Sequence, residues 1–572
     1  MSGGDDPFSA LGPVPDEDPG APADDQDASA PIAADEDVRE LLGRAAALPL
    51  NDFGNGRRFV LHFGRDCMFV PRVGWFTWSG QVWEKDDDRL RVRRQAQRLS
   101  DLILREIPYL THRGSNLVTR RNELSEIARS DRTAEQANEL DALRKTAARH
   151  RSFANTTGNS ARIKSGYEEA EVDLAVAFDD LDVEPLEVAV ESGVLRFSVE
   201  DMTDDGAGKV ADMTLVPHHR DQRITKMMPV AYDPGAPHPR FDAFLERIQP
   251  DRETREFIKR WLGLSMTGQK KQNIAFFYGG GANGKSVLVD LMARIMGNYA
   301  ATARIESLTG TARRGGGDAT PDLIPLMGAR MVRAAEPDEG QRLQEGLVKD
   351  LTGGEPIMVR ALHSDFVEVR PHFKLTISGN HRPEIRGTDD GIWRRVMLVP
   401  FDVQIPESER DPNLIDKLWE ERSGILNWLI EGAIDYLEGG LQPPSAVTEA
   451  TRDYREESDP IGQFLITCCV ITGDAADTIT SKDLGNGFHL HLIERGMSPW
   501  KPTTVSKQLA SKARQWRHPE TGRQFTKSKS SITQYVGLRF TDAFRRRFED
   551  APKDHQGRPL GGVSASAAPD PD

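Results

Sequence analysis

Apolar residues recur along this chain with two periods, and the changes between them mark its elements. Val38 to Ala47 has the spacing of a short helix. From Arg57 to Trp83 the apolar positions crowd as in strands: Phe59, Val60, Leu61 and Phe63, then Trp75, Phe76, Trp78 and Trp83, with turn glycines Gly74 and Gly80. Arg89 to Ile107 reads as one helix. Residues 115–178 are polar and helical in composition. Their broken stripe of Leu117, Leu124, Ile127, Leu140 and Leu143 predicts a solvated helical pair rather than a coiled coil. Leu186 to Phe197 predicts a small β-unit turning at Ser192-Gly193. After the Pro-rich linker Tyr232–Pro239, helical spacing returns over Phe241–Ile248 and Arg255–Leu264. Strands and helices then alternate from about 272 to 402, the pattern of an α/β layer. A helix over Leu414–Leu437 ends at Gly439-Gly440 and Pro443-Pro444. The punctuation predicts a disordered tail over 1–37, a mixed α/β and helical domain over 38–240 and an α/β domain over 241–440. A smaller domain over 455–548 and a second disordered tail over 552–572 follow.

Charge changes this picture at both ends. The net charge is −15, but residues 1–40 carry twelve acids against Arg39 alone, so the rest of the chain is nearly balanced. The acidic total therefore does not argue against nucleic acid. From Lys501 to Arg547, twelve bases face only Glu520 and Asp542. Such density, interleaved with Trp500, Trp516 and Tyr535, favours a nucleic-acid surface, with Lys507, Lys512 and Arg514 as candidate contacts. Thr503–Gln515 has the look of a recognition-type helix and Phe525–Phe540 of a β-wing, so a winged-helix-like domain is expected. Cys67, Cys468 and Cys469 form no CxxC pair, which supports neither a disulfide framework nor a Cys-rich zinc site and suits a reducing cytoplasm. No apolar run is long enough for a membrane span, and no membrane partner is expected.

The sharpest motif is Gly279-Gly280-Gly281-Ala282-Asn283-Gly284-Lys285-Ser286, a GxxxxGK[ST] run. Ile274–Tyr278 before it reads as a buried strand, and Val287–Met296 after it as a helix stopped by Gly297. Strand, loop and helix are what phosphate binding needs. Glycines turn backbone N–H groups inward, the helix N-terminus adds positive charge, Lys285 reaches the β- and γ-phosphates, and Ser286 ligates Mg²⁺. No Asn-Lys-x-Asp motif for reading guanine accompanies it, so ATP is the expected nucleotide. Downstream, Met331–Glu336 reads as a strand ending in an acid, Phe373–Asn380 as a strand ending in an amide, and Arg394-Arg395 precede the apolar strand Val396–Val399. An acid at that place can hold Mg²⁺ and polarise water, and the amide can orient the attacking water.

In this order the chain resembles a superfamily 3 DNA helicase. More narrowly, it looks like the helicase half of phage- and plasmid-type primase–helicases related to poxvirus and satellite-phage replication proteins. The likeness is carried by GGGANGKS, VKDLTGGEPIMVRALHSDFVEVRPHFKLTISGN and GIWRRVMLVPF, and by NDFGNGRRFVLHFGRDCMFVPRVGWFTWSGQVWEKD and YDPGAPHPRFDAFLERI, over roughly 50–545. It implies an AAA+-like P-loop core in an α/β fold. Lys285 and Ser286 would bind phosphate and Mg²⁺, Glu336 would be the Walker B acid, and Asn380 the sensor. Arg394 or Arg395, the latter slightly preferred, would be a finger reaching a neighbour's ATP. Lys349, Arg360 and His363 would belong to a pore segment on single-stranded DNA. The activity implied is ATP-driven unwinding of single-stranded and forked DNA by a hexameric ring, in a bacterial or phage-host cytoplasm, with a separate primase as possible partner. A DNA-binding initiator whose ATPase controls assembly is the main alternative; a small-molecule kinase is the lesser one.

Two departures accompany the resemblance. Arg333 interrupts the Walker B strand, and Glu336 lacks an adjacent second acid, for which Asp338, Glu339 or water would have to serve. Asp180 and Asp182 have the spacing of a metal pair but sit in loop-like sequence beside Pro185, and His218-His219 lack a third ligand. Trp75, Trp78 and Trp83 could stack bases, yet aromatic strands are more often core.

Overall fold

A computed structural model describes residues 35–201, 208–310, 320–337, 340–360, 366–385, 390–529, 531–555 and 557–560. The disorder expected over 1–37 falls outside these residues up to position 34, as does the end of the chain beyond 560. Residues 35–37 open a helix, Asp35–Ala46. The chain divides into two compact units, one running to Arg65 and adding Arg89–Leu174, the other made of Asp66–Asp88 and Ala175 onward. The stretch 38–240, expected as one domain, is shared between them.

The first unit is helical. Here the strand reading of Phe59–Phe63 is corrected: these residues close the helix Asp52–Phe63, started by Asn51, whose side chain accepts from the Gly54 N–H at 2.8 Å. Phe59 and Phe63, one turn apart, set their rings 5.4 Å apart. The helix expected over Arg89–Ile107 is two helices, Leu90–Gln97 and Leu99–Glu106. Leu117, Leu124, Leu140 and Leu143 are buried between Leu117–Glu126 and Ala134–Thr157, so the broken stripe does form a helical pair with its own small core.

Inside this unit Arg58 and Glu106 are fully buried and paired through two hydrogen bonds of 2.8 and 3.0 Å. His150 Nε2 lies 2.9 Å from the same carboxylate, and Arg58 also donates to the Pro49 and Leu48 carbonyls. Removing one member of such a network strands a charge in low dielectric. Glu106→Ala should therefore lower unfolding stability by about 3–5 kcal/mol. Chemical denaturation followed by far-UV circular dichroism measures this, and a loss within experimental scatter would show that the pair contributes nothing net.

The second unit holds the α/β layer. Its strands are β1 (Ile274–Tyr278), β2 (Ala300–Ala303), β3 (Met331–Ala334), β4 (Lys374–Gly379) and β5 (Val396–Pro400). They form one parallel sheet in the order β2-β3-β4-β1-β5. Buried side chains cover both faces, as a parallel sheet requires. One face packs on the helices Pro239–Ile248, Arg252–Met266 and Arg422–Gly439. β1 lies between β4 and β5, so the order of the strands reverses beside it, and crevices for ligands open at the carboxyl ends of strands at such a point. Ahead of this layer, Trp75 and Trp83 are core, and Glu187–Val190, Gly193–Asp201 and Lys209–Val216 form a three-stranded sheet. Asp180 pairs with Arg223, and Asp182 accepts from the Thr225 N–H and hydroxyl, so both are loop anchors.

Toward the C-terminus, helix Pro460–Cys468 leads to strand Thr478–Thr480, helices Ser481–Glu494 and Pro502–Gln515, and a hairpin of Thr526–Lys529 with Thr533–Val536. This region has its own core around Phe464, Phe488, Leu509 and Phe540. The tail expected to be disordered from 552 instead holds a turn, in which Lys553 bridges Pro559 and the Gly557 carbonyl accepts from Asn486 at 2.9 Å. All three cysteines are buried, and none of them is in a disulfide among the described residues.

Candidate active site

The loop between β1 and the helix α1 (Lys285–Met296) lines a cleft of about 610 Å³ at the carboxyl ends of β1, β3 and β4. Two glycines are demanded by the backbone. Gly284 has φ +79°, and a Cβ there would fall 2.4 Å from Ile248 Cγ2; a Cβ on Gly279 would fall 2.0 Å from the Phe401 carbonyl oxygen. Gly280 and Gly281 have open space around them. Asn283 pins the loop by donating to the carbonyls of Gly280 at 2.5 Å and Phe401 at 3.2 Å. No side chain caps the first turn of α1, so its amide N–H groups are available to an anion.

Lys285 is buried, and its ammonium is held over the loop. Nζ donates to the Gly279 carbonyl at 2.7 Å, Asn283 Oδ1 at 2.9 Å and Asn380 Oδ1 at 3.2 Å. Burial lowers its pKa to about 8, with the Glu336 carboxylate opposing. Asn380 is tied to the third predicted group, since its backbone N–H donates to Glu336 Oε1 at 2.6 Å. Residues 285, 336 and 380 thus converge although 95 positions separate the first and last. Ser286 lines the same cleft as Glu336. Asp338 and Glu339 lie outside the described residues.

A second acid in the cleft is Asp290, one turn beyond Ser286 on α1, which pairs with Arg333. Arg333 also donates to Thr302 Oγ1 at 3.0 Å. The arginine that interrupts the apolar strand β3 therefore faces the cleft and joins α1, β2 and β3. Asp290 is absent from the sequence-based candidates; its position four residues after Ser286, on the same helix face, is the signal that marks it.

The two arginines part company. Arg395, the slight preference from sequence, is buried; it donates to the Gly391 carbonyl at 2.5 Å and Thr352 Oγ1 at 3.3 Å. Arg394 is exposed, with Gln272 Oε1 at 3.3 Å. It precedes the amino end of β5, whereas the P-loop leaves the carboxyl end of the adjacent parallel β1. At ~3.3 Å per strand residue, Arg394 lies a full strand length from its own loop.

Ile357–Val359 and Val367–Val369 form an antiparallel hairpin between β3 and β4, with Arg360 at the end of its first strand. His363 lies outside the described residues, and Lys349 sits half-buried on the helix Glu345–Gly353. Among the C-terminal candidates, Lys507 and Arg514 are exposed on helix Pro502–Gln515, but Lys512 is mostly buried in an ion pair with Asp459. Tyr535 is fully buried, and Trp500 and Trp516 pack on the local core, so the interleaved aromatics hold this region together.

Comparison with known proteins gives two family matches. Residues 56–250 match the family described as D5 N terminal like, and residues 277–395 match a family of unknown function. Among curated proteins, one from Acanthamoeba polyphaga mimivirus is 30% identical over 42% of this chain and 27% of its own length. One from Frog virus 3 is 28% identical over 43% and 27%. Both are named as putative helicases. Primase D5 of Fowlpox virus is 29% identical over 29% of this chain and 22% of its own length. The matched part is thus about a quarter of each of these relatives. Among solved structures, the apo C-terminal region of NrS-1 aligns over 60% of this chain and 96% of its own, at 12% identity and a TM-score of 0.36. Among the described residues no helix is long and apolar enough to cross a membrane, and no cluster of three or more His, Cys, Asp or Glu could hold a metal ion.

Proposed function

From a chain that carries a D5-type N-terminal region and is homologous to helicase- and primase-named proteins of large DNA viruses, we propose an ATP-driven DNA helicase of replication, working as a ring on single-stranded and forked DNA. The observation that carries this reading is the convergence of Lys285, Glu336 and Asn380 on one cleft at the carboxyl end of a parallel sheet. The strand order, in which the P-loop strand lies between the last two strands in sequence, supports an AAA+-like core.

The residues present fit ATP with Mg²⁺. Gly279 to Ser286 cradle the phosphates, and Lys285, whose ammonium now holds carbonyl and amide oxygens, exchanges these for phosphate oxygens. Ser286 and Glu336 would hold Mg²⁺, which when bound would supply neutralisation of the phosphate charge. Glu336 polarises the attacking water, and Asn380, fixed to it through the backbone, orients that water. Arg394 faces a neighbouring subunit's nucleotide, so turnover requires assembly into a ring, which we take to be a hexamer. The hairpin whose first strand ends at Arg360 grips single-stranded DNA. The helix–strand–helix–helix–hairpin order of 460–536 supports a winged-helix-like domain that binds DNA through the exposed bases of Pro502–Gln515 and its hairpin. A separate primase is the expected partner.

Displacement of one strand from duplexes tailed at either end, with ATP, tests this reading. Displacement on one tail polarity is the expected result. ATP turnover that responds to DNA without strand separation would favour the initiator whose ATPase controls assembly. The DNA surface has its own test. Replacing Lys507, Arg514 and Lys527 with Ala should weaken DNA binding and reduce the log–log salt slope by ~0.7–0.9 for each DNA phosphate that is no longer neutralised. An unchanged slope in fluorescence-anisotropy titrations would mean that these bases are solvated surface.

A further inference from the structure

A second cleft, of about 720 Å³, opens at the other end of the sheet. Its cationic lining comes from Lys85, which pairs with Asp87 at 2.7 Å, and from Lys226, Lys270 and Arg370, and its apolar walls include Phe178, Ile324 and Met327. Neither Lys226 nor Lys270 has a carboxylate within ion-pair distance among the described residues, and Arg370 reaches Glu368 only at 3.8 Å. Behind this lining lie two more cations. Arg330 precedes β3; it is buried, donates to the Met266 carbonyl at 3.2 Å and covers the Tyr299 ring at 4.4 Å. Lys374 opens β4, is wholly buried, and donates to the Thr267, Gln269 and His372 carbonyls. Three acceptors around one amine match the three N–H groups of an ammonium. His372, whose carbonyl takes one of these hydrogen bonds, itself lines the cleft.

Glu84, Asp179 and Asp182 are the acids of the lining, and Asp182 already accepts from the Thr225 N–H and hydroxyl. Buried cations without a carboxylate partner are destabilising unless something compensates them. Burial and the neighbouring Arg330 hold the Lys374 amine well below its ordinary pKa, and burial lowers that of Lys226; an anion in the cleft would favour the charged form of both. The missing counter-charge must be small enough for the cleft and carry an apolar portion for Phe178, Ile324 and Met327.

We propose that this cleft is a second anion site that takes the phosphoryl group of a nucleotide, free or as one unit of a single strand, with the base against the apolar wall. Lys226, Lys270 and Arg370 contact the phosphate. Arg330 and Lys374 supply potential from behind. The site is independent of the P-loop, which lies at the opposite ends of the same strands. Since β4 runs from Lys374 to the residue before Asn380, an occupant here also bears on the strand that carries the sensor.

The test labels lysines in the full chain with an amine-acylating reagent and reads Lys226 and Lys270 by mass spectrometry. It is run on Lys285→Ala protein, so that the P-loop contributes nothing and its own failure as an ATPase site cannot affect the result. Thymidine monophosphate, a short oligothymidylate and inorganic pyrophosphate serve as probes. Several-fold protection of both lysines by at least one probe is expected, and it should drop several-fold in Arg370→Gln while labelling without probe stays the same. Protection by the oligomer alone assigns the site to a nucleic-acid strand; protection by the mononucleotide assigns it to a free nucleotide; protection by pyrophosphate alone overturns the proposed contact with the base. Absence of protection by all three, or protection undiminished in Arg370→Gln, overturns the site.

Discussion

Arg394→Ala subunits should hydrolyse ATP ~10³–10⁵-fold more slowly than the native protein while still binding it, the range seen when an arginine supplied in trans is removed. The reason is geometric. Arg394 is exposed, and a strand length separates it from its own P-loop, whereas Arg395 is buried on the Gly391 carbonyl and Thr352. Mixing provides the decisive measurement. Lys285→Ala subunits keep their arginine but cannot use ATP, and Arg394→Ala subunits have an intact loop but no finger. Each alone should be nearly inactive, and together they should recover part of the activity, because some interfaces join an intact loop to an intact arginine. Co-assembly without recovery would mean that Arg394 does not act across subunits. Arg395→Ala should instead lower thermal stability, since its guanidinium is built into its own subunit.

Lys285→Ala should reduce ATP turnover by at least roughly 10²–10³-fold, the scale on which removal of one preorganised donor to a developing charge acts. Its fold should survive, because the loop is also held by Asn283 and by the contact of Gly279 with Phe401. Native-like circular dichroism with undiminished turnover would refute the assignment. The native lysine adds a pH signature. Its pKa without nucleotide is about 8, lowered by burial. Phosphate raises it on binding, since an anion favours the ammonium. ATP affinity should therefore be constant below about pH 8 and fall as pH rises above it, by up to tenfold per unit, with proton uptake on binding. Isothermal titration calorimetry in buffers of different ionisation enthalpy reads both, and Lys285→Ala should lose the pH dependence.

What the sequence by itself determined was local and contiguous. Gly279 to Ser286 stand out as a GxxxxGK[ST] run because strand, turn and helix follow one another without a break, and each residue's expected role depends on its immediate neighbours. Glu336 and Asn380 were legible as polar ends of apolar strands, and parallel strands in one sheet must bring such ends to one edge. The helical pair of 117–157 and the helix–hairpin order near the C-terminus followed in the same way from periodicity and turns. Tertiary structure decided the rest. Phe59 to Phe63 is an apolar run with no resolved period, and the Asn51 cap with the buried Arg58–Glu106 pair made it a helix. Arg394 and Arg395 are identical in sequence terms, and only the packing of Thr352 and Gly391 against one of them separated exposed from buried. Lys512 left the basic surface for Asp459 because a helix has one buried face and composition does not say which, while Trp500 and Trp516 pack on the local core and Tyr535 is buried in it from a strand. Lys226, Lys270, Arg330 and Lys374 form no motif along the chain. Lys270, Arg330 and Lys374 share a cation-rich end of the sheet because parallel strands bring their amino ends together as surely as their carboxyl ends, and Lys226 joins them from the segment after the three-stranded sheet.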